Sequence, residues 1–299
     1  MKNFIVFSRN DSEEIENIIL KIESLIKGKG GKVKKLVSKD DIFDLSLKKQ
    51  GFEAIIAVGG DGTMVYASKA SRLCDIPVIG VHKGHLGYLC DIDEKSLEKG
   101  IRKLLVNNFD IEERMMLCAD IQSEIREKKI VSKNEILSKK DKFKDSYFGH
   151  TALNDVVISK KQNTSVINLS IYVNGRYLYS YNCDGMIFAT PTGSTAYNLS
   201  ANGPIVDPDT KLILLNPINP HTLNSRTIVL DKDSVIEVLL NKRYAEREES
   251  ADVVLDGEYR EVLHCNEKLI VKRADTTAKM IRFSKTSFLK RIRKKFSDA

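Results

Sequence analysis

Ala54-Ile55-Ile56-Ala57-Val58-Gly59-Gly60-Asp61-Gly62-Thr63 is an unbroken apolar run that stops abruptly at glycines and a single carboxylate. A short apolar run without polar alternation predicts a strand covered on both faces, as in a parallel sheet. The apolar segment that follows, Met64 to Ala70, predicts a helix. Strand, glycine turn and helix together are the repeating unit of a doubly wound α/β sheet, whose ligands bind just beyond the carboxyl ends of the strands. Glycines at that place let backbone amides approach phosphate oxygens, and the helix N-terminus adds partial positive charge. Asp61 would stand close to such phosphates, able to hold Mg²⁺ or to accept a proton from an attacking hydroxyl. The plainer alternative is a glycine turn in which Asp61 only caps the helix.

The flanks repeat the pattern. Phe4 to Phe7 predicts a short buried strand. Asp11 precedes Glu14 at capping-box spacing, and Ile15, Ile18, Ile19, Ile22, Leu25 and Ile26 share one helical face. Gly28, Gly30 and Gly31 end that helix, and Val33 to Val37 and Pro77 to Val81 predict further strands. Beyond Asp110 the character changes to strands joined by short turns. Leu169, Ile171 and Val173 alternate with polar residues, and Asn174-Gly175 marks a hairpin. Lys211 to Leu215, Val235 to Leu240, Val253 to Leu255 and Leu269 to Val271 add strands. The expectation is an α/β domain over 1–110 and a larger β-rich domain over 111–275. Residues 276–299 then supply a strand and a basic helix returning to the first domain. In that helix Phe288, Leu289, Ile292 and Phe296 fall at helical spacing. The lysine-rich stretch from Ser123 to Lys144 predicts an exposed hairpin or loop.

Composition narrows the class. The 299 residues are 42% hydrophobic and 30% charged, as in ordinary globular chains. No stretch approaches the ~20 apolar residues a membrane span needs, and the apolar opening, Phe4 to Phe7, is too short for a signal peptide. Five scattered cysteines without a C-x-x-C pair argue for reduced thiols and a cytoplasmic setting. The net charge of +7 reads first as a solvated lysine face, with long-range steering of anionic substrates as the alternative. Nucleic-acid binding is disfavoured, because the basic runs lack interleaved stacking aromatics. Neither a P-loop nor a G-x-G-x-x-G occurs.

A second polar loop follows the apolar run Asp184 to Ala189. It contains Thr190, Thr192, Ser194, Thr195 and Ser200, with Pro191, Gly193, Ala196, Tyr197, Asn198 and Leu199 between them. So many hydroxyls and free amides after a buried strand suit a ligand with phosphates and ribose, and Tyr197 offers a flat face to a base. Turns and caps are the common alternative. Asn154-Asp155, ahead of Val156-Val157-Ile158, pairs an amide with a carboxylate, a combination able to clasp two vicinal ribose hydroxyls. His221, after Pro217-Ile218-Asn219-Pro220, is a minor candidate. His82, Lys83 and His85 are plausible phosphate neighbours.

These residues resemble the NAD kinase family. The resemblance rests on Gly59 to Thr63, Gly84-His85-Leu86-Gly87-Tyr88-Leu89, Leu153-Asn154-Asp155 and the run from Asp184 to Pro204. It extends to Pro220-His221-Thr222-Leu223 and Asp256-Gly257-Glu258. It implies transfer of a phosphate from ATP, in some members polyphosphate, to the adenosine 2′-hydroxyl of NAD, with a divalent metal, most simply Mg²⁺. By that likeness Asp61 is the catalytic carboxylate, and Gly60, Gly62, Thr63 and Tyr88 belong to the nucleotide site. Asn154 and Asp155 hold the adenosine ribose, and Thr195, Ala196 and Tyr197 line the adenine pocket near Thr192, Asn198, Leu199 and Ser200. Asp184 binds the nicotinamide end, typically from a neighbouring subunit of a dimer or tetramer, and Asn182, Asn219 and His221 are further substrate-binding positions. Asp155 replaces the usual glutamate, Tyr88 the usual phenylalanine and Lys83 a common threonine. A lipid kinase shares the glycine-Asp motif but continues it with Asn-Glu, where Met64-Val65-Tyr66 stands here. A dinucleotide sensor without turnover is the rival outside the enzymes.

Overall fold

A computed structural model describes residues 1–36, 41–43, 46–83, 87–123, 150–161, 166–222, 225–242, 249–283 and 288–297. The chain divides into two compact units, Met1–Arg114 with Thr277–Ala299, and Met115–Thr276. The second is thus inserted, in sequence, into the first.

The first unit begins with β1 (Asn3–Phe7), α1 (Glu13–Lys27) and β2 (Lys32–Leu36). After the short α2 (Ser46–Lys49) come β3 (Ala54–Val58), α3 (Asp61–Cys74), β4 (Val78–His82), β5 (Ile92–Asp93), α4 (Leu97–Leu105) and β6 (Asp110–Arg114). The strands β2, β1, β3 and β4 pair in parallel in that order. Every residue of β3 is fully buried, because helices cover both faces of the sheet. On one face Phe4, Val6, Ile56, Val58, Ile79 and Val81 form a core with Ile15, Ile18, Ile19 and Ile22 of α1 and Ile101 and Leu104 of α4. On the other, Gly80 lets α3 approach so closely that a Cβ there would stand 2.8 Å from Met64. The capping box expected at Asp11 and Glu14 does not form. Instead Ser12 is the N-cap of α1, without a side-chain bond, and its amide donates to Asn10 Oδ1 at 3.1 Å.

Among the described residues the second unit holds two six-stranded sheets. Its strands are β7 (Leu117–Gln122), β8 (Thr151–Ala152), β9 (Asp155–Lys160), β10 (Ile167–Val173), β11 (Arg176–Cys183) and β12 (Gly185–Ala189). After α5 (Tyr197–Ser200) come β13 (Leu212–Ile218), β14 (Ile228–Asp231), β15 (Ile236–Asn241), β16 (Ser250–Leu255), β17 (Tyr259–His264) and β18 (Lys268–Arg273). One sheet runs β11-β10-β15-β18-β7-β8, the other β14-β13-β12-β9-β16-β17. Leu169, Ile171, Val238 and Leu269 of the first pack with Val156, Ile158, Phe188 and Val253 of the second in one shared core. Alternation in β15 and β16 is the period-2 signature of strands with one buried face. The hairpin at Asn174-Gly175 forms with φ of 51° and 75°, the positive pair a two-residue turn requires. Pro217 lies inside β13 opposite Met186. It is tolerated there because β14 pairs β13 only as far as Leu215.

The chain then returns to the first unit through β19 (Ala278–Arg282) and α6 (Phe288–Ser297). The strand β19 pairs parallel with β4 and antiparallel with β6. The expected apolar stripe of α6 is only half realised, since Leu289 and Phe296 are 69% and 63% exposed. Among the side chains described there, Phe288, Arg291, Ile292 and Lys295, at i, i+3, i+4 and i+7, are partly buried. Among the described residues no helix is long and apolar enough to cross a membrane. Gly84 to Leu86, Leu223 and most of the lysine-rich stretch from Ser123 to Lys144 lie outside the described residues.

Candidate active site

Local geometry in the first unit is built around Asp61. Gly59 has φ of 152°, and a Cβ there would meet Thr63 Oγ1 at 2.4 Å, so only glycine permits this turn. Gly60 is the N-cap of α3, and its carbonyl accepts from the amides of Thr63 at 3.0 Å and Met64 at 3.2 Å. Asp61 therefore opens the helix, where its dipole favours an anion. The carboxylate accepts from the Tyr88 amide at 2.8 Å and the Leu89 amide at 3.1 Å. Gly87 lies flush against it, since a Cβ there would stand 2.0 Å from Asp61 Oδ1. Each carboxylate oxygen keeps a lone pair for a further donor.

Neighbouring groups set the electrostatics. Burial, and then the charge of Asp61, push the Cys90 thiol up to about 12, so it stays neutral and is no nucleophile. The same two causes raise the Tyr88 phenol. Arg9, which the sequence did not single out, points a guanidinium nitrogen at the Gly62 carbonyl, 3.5 Å away, and lies over the Tyr66 ring at 5.4 Å. His82 is buried at the carboxyl end of β4, with neither ring nitrogen hydrogen-bonded.

In the second unit Asn154 and the hydroxyl-rich loop come together. The Thr190 amide donates to the Asn154 carbonyl at 2.9 Å, and Thr190 Oγ1 donates to the Leu153 carbonyl at 2.6 Å. Asp256, in the left-handed region with φ of 51°, accepts the amides of Leu153, Asn154 and Asp155 at 2.9, 2.7 and 3.2 Å. The Asp256-Gly257-Glu258 motif thereby acquires a physical role. Beyond Thr192, Ala201 and Val206 pack over Val157, Ile187 and Leu214, pinning the loop to the outer sheet face. Thr192 is buried, Tyr197 is 46% exposed and Ser200 is exposed. Asn198 is fully buried; its amide donates to the Ser194 and Pro204 carbonyls, so its side chain props the loop.

A third group lies at the opposite end of β12 (Asp184 against Thr190), about 20 Å away at the usual rise per strand residue. Asp184 accepts from Lys160 Nζ at 2.6 Å and Asn219 Nδ2 at 3.1 Å, and these bonds hold its carboxyl below the usual range. The His221 amide donates to the Asn182 carbonyl at 2.8 Å. Lys160 escaped the sequence reading because its partner is set by strand register, Gly185 facing Ser159. Among the described residues no group of three or more His, Cys, Asp or Glu side chains is arranged to hold a metal ion.

Two family models match, the ATP-NAD kinase N-terminal domain over residues 29–109 and the ATP-NAD kinase C-terminal domain over residues 153–283. The chain is 36% identical over 303 residues to an NAD kinase of Agathobacter rectalis, covering 100% of this chain and 99% of that one. It belongs to the NAD kinase family. An NAD kinase of Lachnospira eligens is 38% identical over 84% of this chain and 83% of its own. The fold is that of solved NAD kinase structures. One from Archaeoglobus fulgidus in complex with ATP superposes with a TM-score of 0.73 at 21% identity, covering 99% of both chains. Yeast NADH kinase complexed with NADH gives 0.81 at 19% identity, covering 99% of this chain and 88% of that one.

Proposed function

We propose that this chain is an ATP-dependent NAD kinase that transfers the terminal phosphate of ATP to the adenosine 2′-hydroxyl of NAD, giving NADP. The observation that carries the reading is Asp61, held by two backbone amides at the N-terminus of α3 with lone pairs to spare. In the reaction the 2′-hydroxyl gives its proton to this carboxylate, its oxygen bonds to the terminal phosphorus, and the bond from that phosphorus to ADP breaks. The amides of Gly60, Asp61 and Gly62 receive phosphate oxygens, and Arg9 supplies positive charge beside Gly62. Mg²⁺, when bound, would neutralise charge on the ATP phosphates, with Asp61 the carboxylate beside them. Asn154 and Asp155 hold the ribose. Thr195, Ala196 and Tyr197 take the adenine, with Thr192 and Ser200 beside them. Asp184, with Asn182, Asn219 and His221, serves the nicotinamide end. The protein acts in the cytoplasm as a homo-oligomer, dimer or tetramer. Supporting this, Tyr177 and Tyr179 on the edge strand β11 are 57% and 50% exposed, an apolar edge of the kind oligomers cover.

The test is NADP formation by the purified chain with MgATP and NAD, alongside Asp61→Asn. Turnover by the wild type, lost in the variant while NAD still binds, supports the reading. Phosphorylation of a lipid and not of NAD, or full activity in Asp61→Asn, ends it.

A further inference from the structure

We infer that Arg291 of α6 is a positioning residue for Asp61, acting through one peptide group of the turn at Tyr88 and Leu89. The inference rests on Asp61 being the reacting carboxylate. The Tyr88 carbonyl and the Leu89 amide belong to the same peptide group. Arg291 Nη1 donates to that carbonyl at 2.7 Å, and that amide donates to Asp61 Oδ1 at 3.1 Å. A cation on the carbonyl side polarises the group and strengthens the bond its N–H gives on the other side. The preceding amide, of Tyr88, holds the second carboxylate oxygen at 2.8 Å.

The rest of the turn is fastened from the same direction. Arg282 Nη1 donates to the Leu89 carbonyl at 2.9 Å. Asp91 accepts from Arg282 at 2.8 Å, from Arg291, and from the Phe283 amide at 3.1 Å, so one carboxylate ties both arginines to the turn. Arg282 is further anchored on Glu112 at 2.7 Å. The Lys295 ammonium lies over the Tyr88 ring at 5.3 Å. Amides on one side of the turn thus hold Asp61, and its carbonyls on the other side are held by β19 and α6. Because the turn lies flush against the carboxylate at Gly87, a displaced turn displaces the carboxylate with it.

Stability alone does not require an arginine here. Phe288 and Ile292 occupy the same inward stripe of α6 as apolar side chains, and Arg282 already anchors β19 through Glu112 and Asp91. What Arg291 adds is a planar fork that bonds a backbone carbonyl and Asp91 together.

The experiment measures NAD phosphorylation by the full chain against NAD concentration for Arg291→Ala, Arg291→Lys and Arg293→Ala, the last an exposed residue on the same helix. Misplacement of a reacting group by about 1 Å costs about 100-fold, so Arg291→Ala is expected to lower kcat by about 10- to 100-fold with KM for NAD within about twofold. Arg291→Lys, a point donor, recovers kcat only in part, and Arg293→Ala behaves as wild type. A second readout is the Leu89 amide proton shift in a ¹⁵N-leucine-labelled sample, expected to move upfield in both Arg291 variants and in Asp61→Asn. Wild-type kcat and an unmoved Leu89 amide in Arg291→Ala overturn the inference, as does an equal loss in Arg293→Ala. Should Arg291→Ala not fold, the same two measurements on Arg291→Lys decide it in the same way. Full turnover by Asp61→Asn would instead remove the role of Asp61, while the Leu89 shift would still report the coupling.

Discussion

Replacing Gly193 with alanine tests the hydroxyl-rich loop at its tightest point. A Cβ at Gly193 would stand 2.0 Å from the Asn154 carbonyl oxygen, 2.5 Å from its carbon and 2.7 Å from its Cα. All three are backbone atoms, so no side chain can swing aside. Restoring ordinary contact requires the two backbones to part by about 1.4 Å, and overpacking of this kind costs about 1–3 kcal/mol. Parting also stretches the Thr190 amide bond to the Asn154 carbonyl, 2.9 Å, and the Gly193 amide bond to Thr190 Oγ1, 3.0 Å. Each bond lost subtracts about 1 kcal/mol. Since Asn154 is the proposed ribose ligand, a shift of this size lowers kcat/KM for NAD by about 100-fold. Urea titration followed by tryptophan-independent far-UV dichroism gives the stability, and NADP formation against NAD concentration gives the rate. Gly175→Ala is the matched control. Its φ of 75° disfavours a side chain but nothing lies within 4 Å, so it costs about 1 kcal/mol and leaves kcat/KM unchanged. A Gly193→Ala protein with the wild-type urea midpoint and wild-type kcat/KM would refute the described contact between loop and strand.

Three further outcomes are expected. Asp256→Ala strands the amides of Leu153, Asn154 and Asp155 and is expected to cost about 1–3 kcal/mol and to raise KM for NAD; chemical denaturation and steady-state rates check both. Tyr197→Ala, at a side chain already 46% exposed, is expected to weaken NAD binding by about 1–3 kcal/mol, the loss of one base–aromatic stack, with stability unchanged in calorimetry. Glu112 titrates at about 2 rather than 4.5: burial raises it, but the charges and hydrogen bonds of Arg114 and Arg282 outweigh that. Its folded-state value is the lower one, so its contribution is present above about 4.5 and disappears as pH falls toward about 2. Urea midpoints measured across that window should decline in the wild type and decline less in Glu112→Gln.

What the sequence revealed and what it hid divide along a physical line. The strand and turn at Ala54 to Thr63 were legible because burial on both faces removes polar alternation, and because a φ of 152° leaves only glycine. The Asn174-Gly175 hairpin was legible for the same kind of local reason. Features whose partners are remote left no such mark. Asp256 binds amides 101 to 103 residues away, and Arg291 binds a carbonyl 203 residues away, so no window of sequence contains both ends. In α6 apolar spacing points to Leu289 and Phe296, whereas two cationic side chains with targets on the turn, Arg291 and Lys295, occupy the inward stripe. Asn198 reads as a ligand residue among hydroxyls, yet Gly203 packs so close that a Cβ there would stand 2.1 Å from Asn198 Oδ1.

The placement of β19 has a consequence for biosynthesis. Among the described residues strand β6 has β19 as its only partner in the sheet, and β19 is translated after the whole of Met115–Thr276. At roughly 5–20 residues per second, a nascent chain carries β4 and β6 with unsatisfied edges for many seconds while the inserted unit emerges from the ribosome. The clamp on the Asp61 turn likewise waits for Arg282 and Arg291. Polypeptides released before residue 278 would therefore leave the turn around Asp61 without its outer support.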